Sequence, residues 1–241
     1  MRSIKEDFGA RIVLIGPPGA GKGTQTELIV NRLGVKTISS GAIFRENIVQ
    51  ETPLGIIAKE YIDKGQLVPD DVTVNMVIEK LDFNETAKES IILDGFPRNL
   101  EQAKILREHV TIDLVIVLEI EDKKILQRLA GRCGCPNCAT IYNTQLNPPK
   151  IHNHCDKCNA PLTIRSDDSS AAIKKRLKIF KDVTMPVIEF FQSYNMDVLT
   201  VNADQNVEHI YAEIASTLIK PHCNAELMQK HWLRNCHEDD D

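Results

Sequence analysis

The sequence predicts an α/β protein with a doubly wound parallel sheet of about five strands, helices covering both faces. Three observations carry that expectation. Short apolar runs (Ile12–Ile15, Val35–Ile38, Ile91–Leu93, Leu114–Ile120 and Val198–Val201) alternate with segments of helical periodicity. The run Leu114–Ile120 is nearly uninterrupted, as a strand buried on both faces requires. The first run feeds directly into Gly16-Pro17-Pro18-Gly19-Ala20-Gly21-Lys22-Gly23-Thr24. That glycine loop between a strand and a helix is a phosphate cradle: backbone N–H groups turn toward an anion, the helix N-terminus adds positive potential, and Lys22 supplies a mobile charge. Gly23 stands where Ser or Thr usually follows the lysine, and the hydroxyl comes one place later at Thr24.

In chain order, residues 1–10 read as a polar lead, and Gln25–Leu33 as the helix after the loop. Ser39 and Ser40 can cap a helix starting near Ala42, on which Ile43, Phe44, Ile48 and Val49 share a face. Pro53 opens the next helix, with Gly65 as its C-cap, and Pro69-Asp70-Asp71 opens a third that runs to Leu81. The strand from Ile91 ends in Asp94-Gly95-Phe96-Pro97-Arg98, and Asn99–Glu108 reads as helix. Asp122 is expected to cap a helix carrying both Arg128 and Arg132. After a cysteine- and proline-bearing insertion, Cys133–Leu162, come a basic helix over Asp167–Asp182, a helix opened by Pro186, the last strand, and a helix over Val207–Leu218. The tail past Pro221 could form a small apolar helix face from Leu227, Met228, Trp232 and Leu233.

At 42% hydrophobic residues the 241-residue chain can bury a full core, so one α/β domain with insertions is expected. A net charge of −5 argues against general binding to nucleic acid or membrane surfaces. With no apolar stretch of about 18 residues and no signal-peptide pattern, a cytoplasmic, reducing setting is expected. Seven cysteines in such a setting point to metal. Cys135, Cys138, Cys155 and Cys158 form C-x2-C-x16-C-x2-C, the spacing of a four-thiolate structural zinc site. The ion substitutes for the core that so short an insertion cannot build. Cys133, His152 and His154 lie near enough to compete as ligands, and a nucleic-acid-binding ribbon or a redox pair are the rival uses of the cysteines.

Ligands of doubly wound sheets bind beyond the carboxyl ends of the strands, where Gly16, Ser40, Asp94–Arg98 and Asn202-Ala203-Asp204 all fall. Asp94 suits the acid that holds a nucleotide's magnesium ion or its waters. Arg45, Arg98, Arg128, Arg132, Arg165 and Arg176 border the same cleft. Guanidinium groups bind phosphate bidentately, and phosphoryl transfer needs cations on the charge spread over the moving group more than it needs covalent help. A phosphate acceptor is already an anion and needs no general base, which agrees with the lack of a Ser-His-Asp or Cys-His set.

Together, Gly16–Thr24, Ser39-Ser40-Gly41 with Arg45, Asp94–Arg98 with Gln102, Gly131-Arg132, and Arg165 with Asp167-Asp168 and Arg176 resemble the adenylate kinases, in order over about residues 11–218. The cysteine insertion resembles the zinc-containing lid of the long form. The family loop carries Gly at the place of Gly23, and Ser40 keeps the hydroxyl of a usual Thr. The resemblance implies a core of 1–38, 69–130 and 169–220, an AMP-binding domain at 39–68, a lid at 131–168, and a tail, 221–241, without an assigned role. It implies ATP held by Gly19, Ala20, Gly21, Lys22, Gly23, Thr24, Arg132, Ile141, Tyr142 and Gln205. It implies AMP held by Ser40, Arg45, Gln66, Leu67, Val68, Gly95, Phe96, Pro97, Arg98 and Gln102, with Arg165 and Arg176 bridging the two phosphates and Arg128 facing the ATP side. Lys22, Asp94, Arg98, Arg128, Arg132, Arg165 and Arg176 would be the catalytic set. Mg2+ with ATP, a structural Zn2+ and a monomer complete the expectation. The nearest rival is a UMP/CMP kinase, against which Gln102 speaks, because that family places Asn there. A P-loop ATPase or GTPase with a zinc ribbon is the rival from another class.

Overall fold

The structure is a computed structural model that describes residues 9–81, 89–138 and 140–219. The polar lead, the tail and its apolar face therefore lie outside the described residues. The central sheet is parallel and five-stranded, with β1 (Arg11–Ile15), β2 (Lys36–Ser39), β3 (Ile91–Asp94), β4 (Leu114–Glu119) and β7 (Asp197–Asn202) in the order β2-β3-β1-β4-β7. Side-chain alternation divides its core in two. Val13, Ile15, Ile91, Leu93, Val115 and Val117 point to one face, and Ile12, Leu14, Ile92, Leu114, Ile116 and Leu118 to the other. Helix α1 (Lys22–Leu33) and α9 (Val207–Ile219) pack together on the second face through Ile29, Ile210 and Ile214. Helices α4 (Asp70–Lys80), α5 (Leu100–His109) and α8 (Met185–Ser193) cover the first through Val77, Leu106, Val187 and Phe191.

Two insertions leave this frame. Helices α2 (Ser40–Val49) and α3 (Pro53–Ile62) pack closely enough that a Cβ on Gly55 would overlap the Asn47 carbonyl at 2.0 Å. The second insertion follows α6 (Asp122–Ala130) and contains an antiparallel ribbon of β5 (Arg132–Gly134) and β6 (Ile141–Asn143). Its core is small: Cys133, Cys135, Tyr142, Cys155, Ala160 and Leu162.

Several boundaries differ from the sequence expectation. Gly65 is not a C-cap. Helix α3 ends at Ile62 with Asp63 as its C-cap, and Gly65 lies beyond it at φ +64, where a Cβ would sit 2.8 Å from the Ala172 carbonyl; close approach rather than capping requires it. Asp122 does not cap α6 but is its first residue, where its charge favours the helix N-terminus and pairs with Lys181 at 2.5 Å. Arg132 is not on that helix, because the chain turns at Gly131 and enters β5. The basic segment is a short 3-10 turn at Ser166–Asp168 followed by α7 (Ser170–Ile179). Pro186 lies in the first turn of α8, as expected, but no loop separates that helix from α7. The chain stays helical from α7 into α8 through a widened π turn, Phe180–Thr184, and the irregular turn accommodates a proline that has no N–H to give.

Candidate active site

The strand ends converge as expected, and the cleft there is assembled from backbone first. In the loop after β1, Gly19 and Gly21 have φ of +82 and +98, and nothing lies within 4 Å of where a Cβ on Gly21 would be. That open hollow at the start of α1 is the shape of an anion seat. Gly23, the unusual position, lies beneath the second insertion: a Cβ there would make an ordinary contact with Ile141 Cδ1 at 3.4 Å. Lys22 Nζ donates to the carbonyls of Gly16 at 2.6 Å and Pro17 at 3.0 Å. Burial pulls its ammonium down to about 8, with Asp94 opposing and Arg98, Arg176 and Arg132 adding to the fall.

Facing the loop across the cleft are Ser40, Arg45, Gln66, Leu67, Val68, Gly95, Pro97, Arg98, Gln102 and Arg176. Ser40 is buried at the start of α2 and donates to the Gly95 carbonyl at 2.7 Å, and Arg98 Nε donates to the same oxygen at 2.7 Å. A Cβ on Gly95, at φ +74, would stand 2.8 Å from Arg98 Nη2, so only glycine lets that side chain fold back. Asp94 accepts from Ser39 Oγ at 3.1 Å. Thr184 Oγ1, from the π turn, donates to the Arg98 carbonyl at 2.8 Å and ties α8 to this corner.

The arginines divide by partner. Asp168, buried beneath the insertion, accepts from Arg132 Nε at 2.6 Å, again from Arg132 Nη2, and from Arg176 Nη1 at 3.1 Å. Asp167 pairs with Arg176 at 2.8 Å. Burial pushes the Asp167 carboxyl up, but Arg176, Arg132, Arg165 and Arg45 together hold it below its ordinary value. Arg45 and Arg165 form no ion pair with a carboxylate among the described residues. Burial pulls both guanidinium groups down, Arg165 to about 9 with Arg45 and Arg132 adding to its fall, and Arg45 against the opposing charge of Asp167. Arg98 is lowered to about 10 by burial and then by Arg176. Arg128 stands apart on the far side of the loop, donating to Ala203 O at 2.7 Å and Ala20 O at 3.4 Å. A cluster of cations outnumbering its carboxylates, buried in a chain of net charge −5, is costly without an anionic ligand.

Some expected site residues direct their side chains to other partners. Phe96 is buried in the sheet core at 1% exposure, so its side chain does not line the cleft. Tyr142 is also turned inward: its hydroxyl accepts from Asp156 N at 2.8 Å and meets Cys155 Sγ at 3.6 Å. Its alternation within β6 sends Ile141 to the cleft side and Tyr142 to the insertion's core. Gln205 is held by the Asn202 carbonyl at 3.1 Å, beyond β7. Asp168 entered the sequence reading only as part of the family motif, without a role of its own, and Thr184 and Asn143, whose Nδ2 donates to the Arg128 carbonyl at 2.8 Å, did not enter it. The alternation of acids and arginines over 165–176 was the available signal for Asp168.

The four predicted cysteines meet. Their Sγ atoms all lie within 4.8 Å of one another, with Cys135–Cys158 at 3.3 Å, Cys138–Cys155 at 3.4 Å and Cys138–Cys158 at 3.7 Å. Disulfide sulfurs would be about 2 Å apart; a tetrahedral zinc thiolate needs sulfurs about 3.8 Å apart. The donors fit such an ion, and Cys138 N donates to Cys135 Sγ at 3.5 Å, as backbone groups do at a thiolate knuckle. Cys133, His152 and His154 are not part of the cluster.

A family profile described as adenylate kinase matches residues 14–196. The chain belongs to the adenylate kinase family. Among curated relatives, the adenylate kinase of Clostridium perfringens (strain SM101 / Type A) is 41% identical over 213 residues, covering 86% of this chain and 98% of that one. The adenylate kinase of Clostridium novyi (strain NT) is 39% identical over 211 residues, covering 86% and 97%. That of Clostridium botulinum (strain 657 / Type Ba4) is 40% identical over 213 residues, with 86% and 98% covered. Membership of this family explains the loop with Gly23 and makes the protein a phosphotransferase of nucleoside monophosphates. No helix among the described residues is long and apolar enough to cross a membrane.

Proposed function

We propose that this chain transfers the terminal phosphoryl group of ATP reversibly to AMP, giving two ADP. The observation that carries the reading is the cation set between two phosphate seats. On one side are the Gly19–Thr24 backbone and Lys22; on the other, Ser40, Arg45 and Arg98. Arg176 lines the same cleft, Arg132 acts electrostatically on Lys22, and Arg165 repels Arg45 and Arg132, so a phosphoryl group crossing that gap would carry its charge within their field. The acceptor phosphate oxygen attacks the γ-phosphorus in line, the β–γ bridging bond breaks, and no proton has to move. Magnesium, bound with ATP near Asp94, would neutralise the phosphate oxygens.

Segments 39–68 and 131–168 are the AMP-binding domain and the lid of this reading. Supporting it, the second insertion reaches the core through Lys157–Glu27 at 2.5 Å and α3 through Ser166 Oγ–Asp63 at 2.5 Å, beside the Ile141–Gly23 contact. A cover over the phosphates keeps water from competing with AMP. Zinc is the ion we assign to the four cysteines, which implies a reducing compartment such as the cytoplasm, and we assign a monomer without nucleic-acid or membrane partners. The relatives named adenylate kinase and the amide at Gln102 favour AMP over UMP or CMP as acceptor.

ADP formation from ATP, magnesium and each monophosphate tests this. AMP should be the best acceptor, and ATP alone should be consumed far more slowly. Faster turnover with CMP or UMP, or equal consumption without acceptor, would overturn it. In the same assay Arg98→Ala should raise the KM for AMP at least tenfold, about the value of one charge-assisted bond, and leave the KM for ATP nearly unchanged. Equal losses for both would reverse the assignment of sides.

Lys22 also predicts a pH dependence. Its ammonium titrates at about 8 in the free protein, and bound phosphate favours the charged form. Above that pH, binding must take up a proton, so ATP affinity should fall by up to about tenfold per pH unit. Calorimetric Kd values from pH 7 to 8.5, below the range in which Arg165 titrates, check it; the slope should flatten in Lys22→Arg.

A further inference from the structure

Gln102 is 1% exposed, yet lines the cleft on the acceptor side. Its amide is held at both ends. Oε1 accepts from Arg98 N at 2.8 Å, and Nε2 donates to Asp70 Oδ1 at 2.6 Å. A backbone N–H can only donate and an ionised carboxylate can only accept, so the two partners agree on one orientation of the amide. The flipped amide would set oxygen against carboxylate and NH2 against N–H. Asp70 itself, the first residue of α4, is anchored by Asn99 Nδ2 at 2.8 and 3.0 Å and has no ion pair among the described residues.

The geometry points to Asp70 as a positioning residue that sets the choice of acceptor base by fixing the orientation of Gln102. The inference rests on the proposed AMP site. With the amide so fixed, Oε1 keeps a lone pair and Nε2 keeps one N–H. A 6-aminopurine offers the complement, an exocyclic N–H donor beside an acceptor ring nitrogen. A 6-oxopurine offers the reverse, an oxygen acceptor beside an N–H donor, and would need the amide turned over. Arg98 N and Asp70 each oppose that turn; without Asp70 only one of them remains.

The test compares kcat/KM for AMP and IMP, with ATP as donor, in the natural protein, Asp70→Ala and Asn99→Ser. The serine keeps an N-cap oxygen for α5 but removes the amide that touches Asp70. Asp70→Ala should lower the AMP-over-IMP ratio about tenfold or more, with the KM for ATP within about twofold of its starting value. Asn99→Ser, which loosens Asp70 but keeps its bond to Gln102, should lower the ratio by clearly less than Asp70→Ala does. An unchanged ratio in Asp70→Ala overturns the inference, as does an equal fall in Asn99→Ser, which would mean that the cluster only supports α5. Should Asp70→Ala not fold, Asp70→Ser, too short to reach Gln102, is measured in its place. Failure of the natural protein to use AMP or IMP would refute the acceptor assignment instead.

Discussion

Lys22→Ala is expected to lower turnover by about three orders of magnitude, the scale of losing one preorganised cation or donor at a phosphoryl or acyl centre. Lys22 is held between the Gly16 and Pro17 carbonyls and bonded to no carboxylate among the described residues. Its charge is already desolvated and surrounded by Arg98, Arg176 and Arg132, so the folded protein bears the cost of that charge before substrate arrives. Phosphate repays it most when charge is greatest on the bridging and γ oxygens, which is why the loss should fall on kcat. Removing a costly buried cation should leave the thermal midpoint unchanged or slightly higher. Steady-state kinetics and a melting curve on one preparation check both parts; near-normal kcat would take Lys22 out of the chemistry.

Cys155→Ser is expected to act on stability and metal content more than on chemistry. The insertion's core is six residues, three of them cysteines, and cannot hold its ribbon and loops by apolar burial alone. A structural zinc site contributes several kcal/mol of folding free energy. Cys155 is buried, meets Cys138 at 3.4 Å, and touches the Tyr142 hydroxyl, so its loss opens both the ion site and the small core. Metal analysis should find about one zinc per natural chain and well below that in the variant, with melting at a lower temperature. The sheet core is separate and should keep its own transition. Absence of zinc with unchanged melting in the natural protein would show that the insertion is held in another way.

Much of the site was legible because its chemistry is local. The strand–loop–helix around Lys22 places its ligands within nine residues, and the cysteine pairs announce their geometry by spacing. Gln102 was legible as a cleft residue, but its partner Asp70, distant in sequence and separated by β3, was not. The direction of the Tyr142 side chain was hidden for a related reason. Adjacent strand residues face opposite ways, and only the ribbon's packing shows that Ile141 goes toward Gly23 and Tyr142 toward Cys155. Phe96 lay within a site motif yet serves the core.

By itself the sequence determined the alternating strands and helices, the phosphate loop, the four thiolates and the excess of arginine near the strand ends. These depend on backbone periodicity, glycine freedom and short-range spacing, which act within one or two turns of chain. The tertiary structure alone decided which charges neutralise each other. Arg132 and Arg176 are tied to Asp167 and Asp168, while Arg45 and Arg165 stand without such partners among the described residues. Ion pairing depends on distances of a few ångströms between segments far apart in sequence, and no local rule sets those distances.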